Sequence, residues 1–421
     1  MSSVSIIGLG KLGSCMAAVY ASKGHEVFGF DLQGAHVAAI AEAKPPVVET
    51  DLAATLSQGR PRLHGTASVQ EAVDRSSLTF IIVPTPSEPE GHFSLDSVRQ
   101  ACHDVGKALR GKKDYHLVVL TSTVLPKNCE EKIIPVLEQT SGKTCGKDFG
   151  FCYSPLFIAI GSVIRNLRRP DFFLVGQADV RSGDTLEAFY QTVCDALVPV
   201  RRMSLPSAEL TKIAVNSYVT MKITFANMLG EIAEKIPGVN IDEVTDALGS
   251  DARIGAMYLK SGLGYGGPCF PRDNRAFAHM ARERGVDAPF ASKTDAYNKT
   301  LMHYWTDKIK TLASPSDVIA VIGTSYKPGT AFAEESQAIG IIQILLKDGF
   351  TVCIHNPDGN EDTRKRLGDS VTYYEDLAAC LKRATIVFLG LPVKENSALE
   401  CLRQQRAVRI IDPWRQLASR L

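Results

Sequence analysis

The chain lacks a net charge of either sign: Lys+Arg 47 against Asp+Glu 46 over 421 residues leaves +1. With no basic excess and no long run of like charge, neither a nucleic-acid partner nor a charged interaction tail is expected. It lacks any C-x-x-C pair among its 10 cysteines, so neither a zinc site nor a disulfide framework is implied, and no bound metal is expected. It lacks an apolar run of membrane-spanning length. Its start has neither a basic n-region nor an apolar h-region, so no membrane partner is expected. Low-complexity segments and short-period repeats are missing too. What remains is a globular chain long enough for two or three domains. Its expected compartment is the cytoplasm, where a reducing environment keeps cysteines as thiols.

Two segments carry chemistry. The first is Val4-Ser5-Ile6-Ile7-Gly8-Leu9-Gly10-Lys11-Leu12-Gly13. A short apolar strand runs into G-x-G-x-x-G, a helix pattern follows from Ser14 to Lys23, and a second strand ends at Asp31. This is the dinucleotide fingerprint in its required context. Gly8 makes the tight turn, Gly10 admits the pyrophosphate, and Gly13 lets helix and strand approach. Lys11 and Leu12 lie in the same phosphate-facing loop, at a helix N-terminus. Asp31 stands 18 residues after Gly13, where a carboxylate accepts from the ribose hydroxyls and repels a 2′-phosphate. The cofactor predicted is therefore NAD rather than NADP.

The second segment is Gly264-Tyr265-Gly266-Gly267-Pro268-Cys269-Phe270-Pro271-Arg272-Asp273. It sets one cysteine in a glycine-rich, proline-stiffened turn, four residues before a carboxylate. A thiol so held acts as a covalent nucleophile when a cation or a helix end favours its thiolate. Lys212 and Asn216 are spaced i, i+4 and share one helix face. A lysine and an amide on one face can hydrogen-bond an oxygen that gains negative charge, although an isolated pair of this kind also reads as a solvated face.

Strand and helix patterns alternate in the first half, with strands expected at 4–8, 26–31, 79–84, 116–121, 149–153 and 172–176. A long helix is expected from about 206 to 235, then helices at 241–249, 273–284 and 290–312. Alternation resumes with strands at 317–323, 351–355, 384–390 and 408–412 and a helix at 337–348. The predicted fold class is α/β: two Rossmann-like doubly wound domains joined by a long central helix and an all-helical middle. The expected boundaries are 1–203 for the NAD-binding domain, 204–312 for the helical dimerisation and catalytic domain, and 313–421 for the nucleotide-sugar domain.

Taken together, Gly8 to Gly13, Val83-Pro84-Thr85-Pro86, Ser122-Thr123-Val124, Glu209 to Asn227, Asp251 to Asp273 and Tyr326-Lys327-Pro328 resemble the UDP-glucose/GDP-mannose dehydrogenase family. The resemblance covers nearly the whole chain. Asp251-Ala252-Arg253-Ile254-Gly255 with the cysteine turn is its most specific part and points towards the UDP-sugar branch. The family oxidises a primary alcohol of a nucleotide-diphosphate sugar to a carboxylate in two hydride transfers to NAD. Carried over by resemblance, Cys269 is the nucleophile, Lys212 and Asn216 stabilise oxyanions, and Asp273 and Thr123 hold the water or base that takes the proton. Thr85, Pro86 and Thr123 meet the cofactor. Leu156, Lys212, Asn216, Arg253, Tyr258, Lys260, Gly266, Lys327 and Arg415 meet the substrate. The family arginine matching Arg253 reaches the partner subunit's site, which implies a homodimer with a shared active site.

The family pattern Asn-Pro-Glu-Phe-Leu-x-Glu-Gly is here Ser154-Pro155-Leu156-Phe157-Ile158-Ala159-Ile160-Gly161. Leu156 and Ile160 replace both glutamates, the first of which is the family's candidate base for thioester hydrolysis. Glu334 stands where an arginine is frequent, and Pro268 where a serine is common. Three readings follow. One is a four-electron dehydrogenase that activates water by another route, such as Asp273. Another is an enzyme with impaired hydrolysis, stopping at an aldehyde or passing its thioester to another acceptor. The third is a nucleotide-sugar-binding protein without turnover.

Overall fold

The computed structural model describes residues 1–394, 396–405 and 408–417. By contact the chain divides into two compact units, Met1–Ile213 and Ala214–Leu421.

The first unit is built on an eight-stranded sheet. Its strands are β1 (Ser3–Ile7), β2 (Glu26–Phe30), β3 (Leu63–Gly65), β4 (Leu78–Ile81), β5 (Leu117–Leu120), β6 (Gly150–Tyr153), β7 (Phe173–Gln177) and β8 (Val200–Ser204), in the order β3-β2-β1-β4-β5-β6-β7-β8. Every neighbouring pair is parallel except β6 and β7, which run antiparallel through Cys152↔Gln177 and Tyr153↔Gly176. The inner strands are mainly apolar because both faces are covered. Along β5, Leu117 and Val119 enter one core cluster while Val118 and Leu120 enter the other. Strand order reverses between β1 and β4. In an open α/β sheet that reversal opens a crevice at the carboxyl ends of the strands, where ligands bind. Two strands in this unit were not foreseen. β3 has three residues, too few to show a period, and β8 reads Val-Arg-Arg-Met-Ser at the sheet's edge.

A helix from Leu205 to Ala233 follows β8 directly. At 29 residues it matches the long helix expected from the pattern. It ends before Pro237-Gly238, where Gly238 has φ +84°, a backbone that halts a helix.

The second unit holds the helices Ile241–Ser250, Phe270–Glu283 and Pro289–Leu312, and then a five-stranded sheet. Its strands β9 (Val318–Ile322), β10 (Thr351–His355), β11 (Thr372–Tyr374), β12 (Ile386–Leu389) and β13 (Arg409–Ile411) pair in parallel in the order β11-β10-β9-β12-β13. Helices and sheet share one core: Leu263, Trp305 and Ile309 pack with Ile319, Val321, Ile342 and Phe388. The order reverses between β9 and β12. At the carboxyl ends of β9, β10 and β12 lies a cavity of about 200 Å³ whose walls include Gly323, Gly329, His355 and Lys394.

Candidate active site

The dinucleotide crevice sits on the first unit. Gly8 has φ +103°, and a methyl group there would lie 2.2 Å from the Ile82 carbonyl oxygen. A methyl group on Gly13 would lie 1.8 Å from the Gly8 carbonyl oxygen, so only glycine lets the turn fold onto the start of the helix Gly13–Ser22. Gly10 differs: a methyl group there meets nothing within 4 Å. Its open side is the space a pyrophosphate needs. Lys11 is exposed and Leu12 half-buried in the same loop. The first turn of the helix carries no acidic side chain of its own, which suits its N-terminus to an anion. Asp31 follows β2, and its two oxygens accept the Leu9 N–H at 2.7 Å and the Gln33 N–H at 2.8 Å. The carboxylate is thereby fixed against the fingerprint loop, with lone pairs left for a ribose. These residues fit NAD.

The loops after β4 and β5 are tied together by Ser122, whose hydroxyl donates to the Val83 carbonyl at 2.7 Å and accepts the Val83 N–H at 2.9 Å. Thr85 is buried, Pro86 exposed and Thr123 half-buried in these loops. Lys212 lies on the long helix with 9% of its surface exposed. It is not part of a solvated face. Its Nζ donates to the Leu156 carbonyl oxygen at 2.7 Å and stands 4.7 Å from the Phe157 ring centroid. The contact to position 156 is thus made by backbone. The Leu156 side chain turns instead to the core cluster that includes Val163 and Leu167.

Two glutamates that pattern reasoning did not single out as functional organise these segments. Glu49 accepts the N–H groups of Gly161 at 2.8 Å and Val163 at 3.0 Å, pinning the end of the 154–161 loop. Glu209, fully buried, accepts the N–H groups of Lys127 at 2.7 Å and Cys129 at 2.8 Å. It ties the segment after Thr123 to the helix that carries Lys212. Burial raises its carboxyl pKa above the usual range, against the lowering by these backbone donors. Glu209 falls within a segment that carries the family resemblance; neither acid has a local signal that reveals what it holds.

In the second unit the cysteine turn closes against the segment after β9. A methyl group on Gly266 would lie 2.3 Å from the Glu335 carbonyl oxygen, and one on Gly267, with φ +86°, 2.6 Å from the Tyr326 ring. The Gly267 N–H donates to the Glu334 carbonyl at 2.9 Å. Asn298 fixes the turn from both sides, accepting the Tyr265 N–H and donating to the Tyr265 carbonyl, each at 2.9 Å.

Cys269 stands at the N-cap of the helix Phe270–Glu283. It alone of the 10 cysteines is exposed. The helix N-terminus favours a thiolate. So does Arg272, one turn on, which sequence reasoning did not single out. Burial depresses the guanidinium's pKa, but the charges of Asp273 and Cys269 outweigh burial and leave it raised. Asp273 is fully buried. One of its oxygens accepts Arg272 Nε at 3.0 Å and the other accepts Asn216 Nδ2 at 2.6 Å. The carboxylate is held between a cation on one oxygen and an amide on the other, and it fixes Asn216 with its amide aligned.

The remaining expected contacts are dispersed. Arg253 is exposed and paired with its near neighbour Asp251. Tyr258 is exposed at φ +65°. Lys260 pairs with Asp246 at 2.6 Å. Lys327, half-buried, stands 5.7 Å from the Tyr326 ring centroid. Arg415 clamps the C-terminal segment onto the helix Ile241–Ser250, donating to Asp242 at 2.7 Å and to the Ser261 carbonyl at 2.7 Å.

Comparison with known proteins agrees with this geometry. Residues 2–194 match the model of the UDP-glucose/GDP-mannose dehydrogenase family NAD binding domain, 206–300 its central domain and 320–418 its UDP binding domain. GDP-mannose 6-dehydrogenase of Azotobacter vinelandii is 33% identical over 92% of this chain and 91% of its own. UDP-glucose 6-dehydrogenase AglM of Haloferax volcanii is 31% identical over 99% and 97%. The solved structure of a UDP-glucose dehydrogenase from Pyrobaculum islandicum is 31% identical, covers 98% of this chain and 94% of its own, and superposes with a TM-score of 0.90. Three domain models in the right order, a dinucleotide crevice and an exposed cysteine at a helix N-terminus all agree, and the chain belongs to the UDP-glucose/GDP-mannose dehydrogenase family of NAD-dependent nucleotide-sugar dehydrogenases.

Proposed function

We propose that the protein oxidises the primary alcohol of a nucleotide-diphosphate hexose to the uronic acid through a covalent intermediate on Cys269. The observation that carries this reading is the exposed Cys269 thiol at a helix N-terminus beside Arg272, with Asp273 and Asn216 locked together one turn further on. NAD, held by the fingerprint loop and Asp31, supplies the hydride acceptor for both two-electron oxidations. Lys212 and Asn216 stabilise the oxygen as it gains charge. By the family resemblance, Thr123, Asp273 and Lys212 serve the water or base that takes the alcohol proton. The Cys269 thiolate adds to the aldehyde carbon, which stays bound, and forms a thiohemiacetal. Its oxidation gives a thioester, and water releases the acid.

The UDP-sugar branch is favoured by Asp251 to Gly255 and by the likeness to the Pyrobaculum enzyme. Lys327 and Arg253 supply positive charge for the diphosphate, with Tyr258, Lys260, Gly266 and Arg415 around it. The small cavity at the carboxyl ends of β9, β10 and β12 takes the nucleotide end. A homodimer is proposed from the long helix, where Tyr218, Phe225, Met228 and Ile232 form an exposed apolar stripe. No described helix is long and apolar enough to cross a membrane, and a cytoplasmic location is proposed.

Incubation with NAD and a panel of nucleotide sugars, including UDP-glucose and GDP-mannose, tests the reading. NADH should form twice per sugar consumed, with the acid as product. One specific observation favours a second reading, in which hydrolysis is suppressed: Leu156 gives its carbonyl to Lys212 and its side chain to the core, so no acid stands at that position. That reading yields one NADH per sugar with free aldehyde, or a stable enzyme adduct. No NADH from any sugar leaves a binding protein without turnover.

A further inference from the structure

Release of the acid from Cys269 needs a group that accepts a proton from water, and the described residues around the cysteine turn offer few. Leu156 and Ile160 have none. Asp273 is fully buried, with one oxygen on Arg272 and the other on Asn216. Asp295 holds Lys299 at 3.0 Å and accepts the Tyr265 hydroxyl at 3.4 Å. Glu335 is paired with Arg275 at 3.2 Å.

Glu334 differs from these. Its backbone carbonyl holds the Gly267 N–H at 2.9 Å, two residues from the nucleophile. Its neighbour Glu335 presses on the turn as well, since a methyl group on Gly266 would lie 2.3 Å from the Glu335 carbonyl oxygen. The Glu334 side chain is exposed and lines, with Pro271, a cavity of about 1100 Å³, which has room for water. Its charge acts on Arg272, the same guanidinium that senses Cys269.

We propose that Glu334 is the general base that releases the acid from Cys269. The inference rests on the covalent mechanism proposed above. The Glu334 carboxylate takes a proton from water as the water oxygen adds to the thioester carbonyl carbon. The carbon–sulfur bond then breaks, and Cys269 leaves as a thiolate favoured by Arg272 and the helix N-terminus. Glu334 passes its proton to solvent. No electrons change hands in this step.

The test is Glu334→Gln, assayed with a nucleotide sugar that the wild type turns over. The side chain is exposed and its backbone bond is kept, so the variant should fold. The first turnover should still give two NADH per active site. Steady-state turnover should fall roughly 100-fold, as expected for loss of a general base. Intact mass should show an acyl adduct on Cys269 that the wild type does not accumulate, and Glu334→Asp should recover part of the rate. Wild-type turnover without an adduct in Glu334→Gln overturns the assignment of the base alone. A first-turnover burst lost along with the steady state would show that Glu334 acts before hydrolysis, and would overturn it too. If the wild type itself gives no burst and no Cys269 adduct, the covalent mechanism fails and this inference goes with it.

Discussion

Replacing Asp273 with Asn tests the electrostatics of the site. The side chain keeps its shape and loses its charge. Asp273 is fully buried, and its carboxylate neutralises Arg272, whose side chain is 20% exposed. Breaking a buried ion pair by removing one partner costs about 3–5 kcal/mol. The residual exposure of Arg272 lets water replace part of the lost interaction, so about 2–3 kcal/mol is expected here. Urea unfolding of wild type and variant measures that loss. Adding Arg272→Met should recover most of it, because the double variant leaves no unpaired charge behind. The same change should make Cys269 more reactive. With Asp273 neutral, Arg272 acts on the thiol without its counter-charge, and the thiol pKa falls. A drop of one unit speeds alkylation about threefold below the thiol pKa, because the larger thiolate fraction is partly offset by weaker nucleophilicity. Iodoacetamide labelling read by peptide mass is direct, since the other nine cysteines are buried or only partly exposed. Stability within 0.5 kcal/mol of wild type, together with unchanged labelling, would refute the view that Arg272 is divided between Asp273 and Cys269.

Other sites give independent checks. Gly13→Ala puts a methyl group 1.8 Å from the Gly8 carbonyl oxygen; it should cost roughly 3 kcal/mol and abolish NAD binding by calorimetry. Lys212→Met removes the donor to Leu156 and should lower kcat about 100- to 1000-fold with a smaller change in KM. Burial lowers the His116 pKa to about 3, whereas in the unfolded chain it is about 6.5. The imidazole is therefore neutral in the fold. Its contribution to stability is complete above the unfolded value and is lost as pH falls towards the folded one, amounting to about 2 kcal/mol at pH 5. His116→Asn should flatten the fall in stability between pH 7 and pH 5 measured by denaturant titration.

The parallel core and the dinucleotide loop were legible because local rules determine them. β1, β2, β4 and β5 are mainly apolar and send side chains into core clusters on both faces, and the glycines at 8 and 13 are demanded by backbone contacts of under 2.5 Å. The long helix was legible from its caps and length. β8 was not: it is an edge strand whose two adjacent arginines break any alternation, and its partner β7 defines it. The antiparallel turn of β7 against β6 has no local signal either. In the site, Cys269, Asp273 and Asn216 announce themselves by residue type in a glycine-rich or helical setting. Glu49 and Glu209 do not, because each accepts backbone N–H groups from distant segments that only the folded chain brings near. The Arg415 guanidinium is an instructive case: its position after Asp412-Pro413-Trp414 pointed to the nucleotide, while its donors are directed at Asp242 and Ser261.

The central claim is that sulfur at position 269 bonds to the sugar carbon between the two oxidations. Its most direct test is Cys269→Ala, assayed for NADH formed per sugar consumed and for product mass. The first oxidation does not use the thiol, so the variant should stop after one NADH and accumulate the aldehyde or its hydrate. If Cys269→Ala still makes two NADH per sugar and releases the uronic acid at a rate near that of the wild type, the covalent account is contradicted.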